Sequence, residues 1–548
     1  MDFGGRSENV FSIQDFGGYT TKTSGEAGML VDRGEEYSPY RSRGFFVDSF
    51  GKLLRARGWS QICQLFGHTE MSQVHGMHYW RGGGVGSTVV LAGTFGLKHG
   101  RVARIDDLAA DACYYKWIAM TQIGPTWMSQ PSTDPGTNEG PAYLYGCFAE
   151  FRDRLYYCNG IDWPVRIDGL HHLFAKSTFE HSGQTGPVYS AMGVFMPTLT
   201  TDATAFAAVR TKLQGLRADS SQVNVYGRAT YGVSVLSKYG ESPATMLPPP
   251  AQPASGGAPE GTAPIFYVAD WTKYADYITA VRIYRLPAVG TVMQYVGEIP
   301  RGDYSFMDTM ADGELGYSVP TDTGLPSNFR LLATFEDRMF AVGGFGNPNR
   351  VACSKAGYPD VWPALFEIQL AASLGTRMVT QMKVLNGALY LFLDEGILRM
   401  YGSSPENYGF SPVSEFIGCI APKTMVSHTD GVVFLSKDGP HFFNGSQLRK
   451  ITEHLDNVLD GATPGSMDWY RACGVASREY YYISYRDDGP RKWLDAANPP
   501  VAGDEPNRTY KVNMNNGRVG VIDDWAFSLS TSYEGTESLV IGHNKLSA

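Results

Sequence analysis

Three histidines, His68, His75 and His78, stand close together in the first fifth of the chain. Clustered imidazoles suit zinc, but their spacing matches no standard zinc pattern. They are expected at strand edges or in solvent, as is the adjacent pair His171-His172. Asp394-Glu395 and Asp523-Asp524 are paired carboxylates of the type a glycosidase uses. That chemistry needs two carboxyl groups about 5–9.5 Å apart across a sugar. Neighbours on a strand point to opposite faces, so these pairs are expected in turns. Carboxylates from distant segments can still converge in a fold. His-Glu-x-x-His, a phosphate-binding glycine loop and Gly-x-Ser-x-Gly are all absent. The sequence therefore assigns no catalytic, cofactor-binding or metal-ligating residue, and no cofactor.

The seven cysteines are Cys63, Cys113, Cys147, Cys158, Cys353, Cys419 and Cys473. No two have Cys-x-x-Cys spacing, which excludes zinc ribbons and thioredoxin-type redox motifs. An odd number in a long chain fits buried free thiols in a reducing compartment. Cys147 and Cys158 flank the first copy of a repeated phrase and can lie on paired strands; they are expected as core fillers rather than as a disulfide. Arg301-Gly302-Asp303 matches an adhesion tripeptide by letters only. Ser436-Lys437-Asp438-Gly439 is like the turn of a sialidase Asp repeat but lacks its downstream Thr/Trp. Asn444-Gly445-Ser446 and Asn507-Arg508-Thr509 are glycosylation sequons, which matter only on secretion.

The elements that must position these residues are short and repetitive. Phe151-Arg152-Asp153-Arg154-Leu155-Tyr156-Tyr157 recurs as Phe335-Glu336-Asp337-Arg338-Met339-Phe340-Ala341. Each copy runs into a Gly turn and then Pro164-Val165-Arg166-Ile167 or Pro348-Asn349-Arg350-Val351. An Asp at a turn and an Arg laid on an aromatic make this a scaffold phrase. Elsewhere, four- to eight-residue β-branched and aromatic runs alternate with Gly turns. Asn386-Gly387 is the strongest of these hairpin signals. The units recur about every 35–50 residues, the period of propeller blades. Of the 548 residues 43% are hydrophobic and only 18% charged, with 63 Gly, 32 Tyr and 28 Phe. That composition is mainly β.

Four segments follow. Residues 1–40, Gly-rich and polar, read as an extended N-terminal arm. Residues 41–199 and 323–548 read as two parts of a β-propeller, enough for seven or eight blades of about 40–50 residues. Residues 200–322 read as an inserted small β-sandwich, fibronectin-like. Within it Ala203–Leu216 is expected as a helix and Leu247–Thr262, rich in Pro, Gly and Ala, as a loop. The start lacks the apolar run of a signal peptide, and no stretch of about 18 apolar residues would span a membrane. The protein is expected to stay in the cytosol or leave by a route needing no signal. With net charge −9 and no block of five basic residues, the sequence has no footprint for gripping nucleic acid, though it suits a conduit through which DNA slides.

The second copy of the phrase continues into Asn347-Pro348-Asn349-Arg350-Val351-Ala352-Cys353-Ser354-Lys355-Ala356-Gly357-Tyr358-Pro359-Asp360-Val361-Trp362-Pro363. Together with Phe16-Gly17-Gly18, Ile283-Tyr284-Arg285, Asp308, Ile417–Pro422 and Gly431–Ser436, this run resembles the tail nozzle proteins of short-tailed bacteriophages, a group that includes packaged-DNA stabilisation proteins. The resemblance touches most of the chain through short motifs. It implies a structural virion protein without catalytic residues. Six β-propeller subunits would form a homohexameric ring below the portal and adaptor proteins, assembled in the host cytoplasm. The ring would retain packaged DNA, pass it at ejection without sequence-specific contact, and meet tail fibres or spikes. The alternatives are a tail-associated propeller that cleaves host surface glycans, needing carboxylates, Arg or His gathered at one mouth, and one that binds them, needing exposed Trp and Tyr there.

Overall fold

The computed structural model describes residues 146–160, 163–168, 188–194, 230–247, 277–344, 349–370, 377–453, 468–486 and 508–522, together with further strand segments and single positions between Val31 and Gly542. The described residues are almost entirely β, with only three-residue 3-10 turns as helical elements.

The sheets are four-stranded antiparallel meanders, each strand pairing with the next in sequence. Blade 1 runs Gln73–Trp80, Thr88–Phe95, His99–Asp106 and Tyr115–Trp117. Blade 2 runs Cys147–Phe151, Arg154–Cys158, Val165–Asp168 and Val188–Ala191, and gains Ala119–Met120 as a parallel edge. Blade 3 runs Phe329–Phe335, Arg338–Gly343, Arg350–Cys353 and Glu367–Gln369. Blade 4 runs Val379–Leu385, Ala388–Leu393, Ile397–Tyr401 and Gly409–Ser414. Blade 5 runs Val426–His428, Gly431–Ser436, Gly439–Phe443 and Leu448–Lys450. Blade 6 runs Asp468–Ala476, Tyr480–Arg486, Arg508–Asn513 and Val519–Ile522. Two hairpins accompany the blades: Leu529–Tyr533 with Ser538–Gly542, and Phe45–Val47 with Leu53–Arg55, whose first strand lies beside Val519–Ile522 of blade 6.

The blades form a closed circuit, mostly through their first strands. Each first strand packs beside that of the next blade from blade 1 to blade 4, and again from blade 5 to blade 6. Blades 4 and 5 share an aromatic core in which Phe392 meets Phe434 and Tyr390 meets Phe443 edge-on. Leu529–Tyr533 then lies beside Asp468–Ala476 on one side and Gln73–Trp80 on the other, which closes the ring. Six four-stranded blades and the final hairpin make the circuit among the described residues, and the fold is a β-propeller. Closure protects the inner sheet edges that an open array would expose. The second strands are the buried middles: Ala388–Leu393 and Gly431–Ser436 are buried at every position. Such unbroken apolar runs suit strands covered on both faces by neighbouring blades.

Between blades 2 and 3 the chain builds two further sheets. One orders Val209–Gly215, Thr262–Val268 and Ser305–Met307; the other orders Gly240–Glu241, Tyr231–Ser237, Ile278–Arg285 and Gln294–Pro300. They share one core that includes Val233, Val235, Phe266, Trp271, Val281, Ile283 and Ile299. The helix expected over Ala203–Leu216 is a strand, Val209–Gly215, paired along its length with Thr262–Val268. Its alanines suggested a helix, but Val209, Thr211 and Leu213 alternate, and a waiting partner strand outweighs local propensity. Of the expected loop, Leu247 is buried and Thr262 opens a strand, while 248–261 lie outside the described residues. Of the N-terminal arm only the short pair Val31–Asp32 and Tyr37–Ser38 is described.

Candidate functional site

The two copies of the repeated phrase are the first hairpins of blades 2 and 3, and their tips touch. Arg152 donates from Nη2 to Asp337 Oδ1 at 2.9 Å, with both side chains more than half exposed. Arg152, Glu336 and Asp337 all have positive φ, as tight two-residue turns demand. The arginine guanidinium groups lie over aromatic rings: Arg154 4.6 Å from the centre of Tyr239, Arg338 5.4 Å from that of Phe366.

Behind the tips lies the loop Ser354–Pro363, and its centre is Asp360. This carboxylate is fully buried and accepts from Tyr156 Oη at 3.0 Å and Gly193 N at 2.8 Å. It also takes a short hydrogen bond from Arg166, itself fully buried. The Arg166 guanidinium lies 3.5 Å from the centre of the Tyr239 ring and 5.1 Å from that of Tyr277. One carboxylate thus joins two strands of blade 2, the loop that follows Arg350–Cys353 in blade 3, and the aromatic edge of the sandwich. The loop is held in turn by Ser354, whose Oγ accepts from Met339 N at 2.9 Å, and by Trp362, whose Nε1 donates to Pro359 O at 2.7 Å.

The sandwich contains a second joint of the same chemistry. Arg285 donates to Asp308 at 2.5 Å and to Asp312 at 3.0 Å, and Tyr231 Oη donates to Asp308 at 2.7 Å. Burial first, then the Asp308 carboxylate, pushes the Tyr231 phenol up. Arg285 and Asp308 are two residues that carry the family resemblance, and the resemblance run 347–363 contains Asp360. Both aspartates are buried acceptors whose partners are protein groups.

The residues first considered for chemistry are scattered. His78 bonds Glu150 at 2.8 Å and stacks on Phe148 where blades 1 and 2 meet; His68, His171 and His172 lie outside the described residues, as does the side chain of His75. Asp394 is a turn residue that accepts from Met378 N at 3.0 Å and Glu395 N at 3.1 Å, and Glu395 faces Lys437 at 3.2 Å. Asp523-Asp524 lie outside the described residues. Arg301-Gly302-Asp303 is a tight turn whose Asp303 carbonyl accepts from Trp271 Nε1. Ser436–Gly439 is a hairpin turn, and Asn444 Oδ1 accepts from Ser446 N and Gln447 N. Asn507 lies outside the described residues. No group of three His, Cys, Asp or Glu that could hold a metal occurs among the described residues.

Two features escaped the sequence. Lys511, on the third strand of blade 6, is buried with its ammonium 3.8 Å from the centre of the Tyr480 ring. Burial pulls it down to about 7, with Glu479 opposing the shift. Between blades 3 and 4 an open cleft of about 410 Å³ is lined by Phe335, Glu336, Arg399, Met400, Tyr401 and Ser411. Tyr401 is 56% exposed at its rim.

No protein-family model and no curated protein matches the chain. Among solved structures, similarity is found to YCF48 bound to a D1 peptide, with 9% identity, 77% of this chain and 90% of that one covered, and TM-score 0.27. Apo AztD from Citrobacter koseri is 9% identical over 88% of this chain and 92% of its own, with TM-score 0.30. YCF48 from Cyanidioschyzon merolae is 10% identical over 84% and 97%, with TM-score 0.23.

Proposed function

We propose that the chain is a structural subunit of a phage tail nozzle, a ring that retains packaged DNA and lets it out through its channel. The observation that carries this reading is the role of the motifs behind the resemblance. Asp360 joins blade to blade and propeller to sandwich, and Arg285–Asp308 braces the sandwich from within. Motifs used as buried joints suit a part that transmits force rather than one that turns over a substrate. The net charge of −9 suits a wall that does not grip DNA. The ring would be cyclic, made of repeated heterologous contacts between six copies, and its partners would be portal–adaptor proteins and tail fibres or spikes. The test is single-particle imaging of the purified chain, alone and with a portal–adaptor complex. A ring, or assembly only on that complex, is expected. A monomer that ignores the complex and binds glycans would sink the reading.

The cleft between blades 3 and 4 favours a second reading, a glycan-binding propeller. Exposed Tyr401 offers a ring for a sugar to stack on, with Glu336 and Arg399 as hydrogen-bonding groups. Under it, Tyr401→Ala lowers glycan-array binding at least tenfold with folding unchanged; unchanged binding removes the cleft from consideration.

A further inference from the structure

Cys147 and Cys158 face each other directly across the first hairpin of blade 2. Both are buried, at 5% and 1% exposure, and no disulfide joins them. Counted back from the pair that closes the turn, Phe151 and Arg154, they occupy a hydrogen-bonded position. Cα atoms at such a position are about 5.5 Å apart, inside the range of about 4.4–6.8 Å that a disulfide spans. Their Cβ atoms lie wider apart than a relaxed disulfide prefers, so the closed bond would be strained and easily reduced.

The surroundings make the two thiols unequal. Cys147 Sγ accepts from Leu332 N of blade 3 at 3.3 Å. A hydrogen bond from Cys158, the Leu332 contact, and the charges of Lys383 and Arg330 hold the Cys147 thiol below its ordinary value against the pull of burial. Cys158 is pushed well up, chiefly by burial. Other buried thiols go up: burial takes Cys353 to about 11 against the Arg338 charge, and Cys419 to about 12 against its hydrogen bonds with Ala421, Thr424 and Thr380. Thiolate character and access together decide which cysteine an oxidant attacks. Cys147, Cys158, Cys353, Cys419 and Cys473 are all buried, so thiolate character is what separates them.

We propose that Cys147 and Cys158 form a redox modification site, a buried dithiol that a hydroperoxide small enough to enter converts reversibly to a cross-strand disulfide. The Cys147 thiolate attacks one peroxide oxygen, the O–O bond breaks, and hydroxide leaves. The sulfur becomes a sulfenic acid. Cys158 gives up its proton and attacks that sulfur, the S–O bond breaks, and water leaves. Two thiols and one hydrogen peroxide thus give one disulfide and two waters, and external thiol reverses the change. The attacking role falls to Cys147 and the resolving role to Cys158.

The experiment treats the folded full-length chain with hydrogen peroxide, quenches with catalase, alkylates in denaturant and maps peptides by mass spectrometry. The expected product is a cross-linked peptide pair carrying Cys147 and Cys158, two hydrogens lighter, formed before Cys353, Cys419 or Cys473 is oxidised and reversed by dithiothreitol. In Cys158→Ser, a sulfenic acid trappable by dimedone accumulates at Cys147; in Cys147→Ser, Cys158 stays reduced. Both thiols fully alkylated after the other cysteines have been oxidised would overturn the proposal, as would dimedone trapped at Cys158. The wild-type cross-link decides the matter even if a variant fails to fold.

Discussion

At the scale of single residues, the buried ions dominate. Asp360 is written out within the resemblance run, and Arg166 within the shorter repeat, yet nothing in the sequence links them. They are 194 residues apart, and only the docking of blade 3 on blade 2 brings them together. The same holds for Arg285 and Asp308, 23 residues apart. Asp360→Asn keeps the shape but leaves Arg166 buried without its counter-charge. Loss of one member of such a pair costs about 3–5 kcal/mol. Urea unfolding of the variant should show a midpoint lowered accordingly, and an unchanged midpoint would show that Arg166 finds another acceptor. Lys511 gives the opposite sign. Its folded value of about 7 lies below its unfolded value of about 10.4. Between these values the unfolded chain binds the extra proton, so stability rises with pH through that window. Below pH 7 the ammonium is buried in full, and its penalty is complete. Lys511→Met should therefore raise the melting temperature at pH 6 and raise it less as pH approaches 10. A gain independent of pH would place the effect in packing instead.

Turns and strands are the scale at which the sequence was most legible. Asn386-Gly387 forms the tight hairpin its letters announce, with φ of 48° and 72°. The paired Phe-x-Asp-Arg phrases occupy equivalent hairpins, because alternation and turn chemistry are local properties. Elements whose partner is remote were not legible in this way. Val209–Gly215 looked helical because its strand partner begins at Thr262, beyond any local window. Glycines separate the local and remote contributions. Gly387 has open space where a Cβ would sit, so Gly387→Ala meets only the left-handed backbone penalty, about 1–2 kcal/mol. Gly240, at φ 120°, backs onto Val361, where a Cβ would collide. Gly240→Ala should cost more than Gly387→Ala in the same denaturation assay. Equal losses would mean that the contact between the sandwich and the Asp360 loop yields freely.

For the molecule as a whole, the repeat period implied propeller blades without fixing their number, and six four-stranded blades with a final hairpin complete the circuit among the described residues. What the period does not contain is the closing contact. The last hairpin packs against a strand that begins at Gln73, and no local pattern reports a contact between the two ends of the chain. Closure is also where the ring is most vulnerable. Leu529–Tyr533 lies beside the first strands of both blade 6 and blade 1, so removing residues 529–548 should expose the inner edges of both blades. Blades 2, 3 and 4 are held differently, through one core running from Cys147 to Met400 that includes no residue of Gln73–Trp80 or Asp468–Ala476. Hydrogen exchange on the shortened chain should therefore show fast exchange across Gln73–Trp80 and Asp468–Ala476, with Ala388–Leu393 still protected. A single melting transition would be replaced by two, since opening the circuit uncouples the ends from the middle. Unchanged protection at Gln73–Trp80 would mean that contacts to Cys147–Phe151 alone hold blade 1, and that the circuit is closed without its last hairpin.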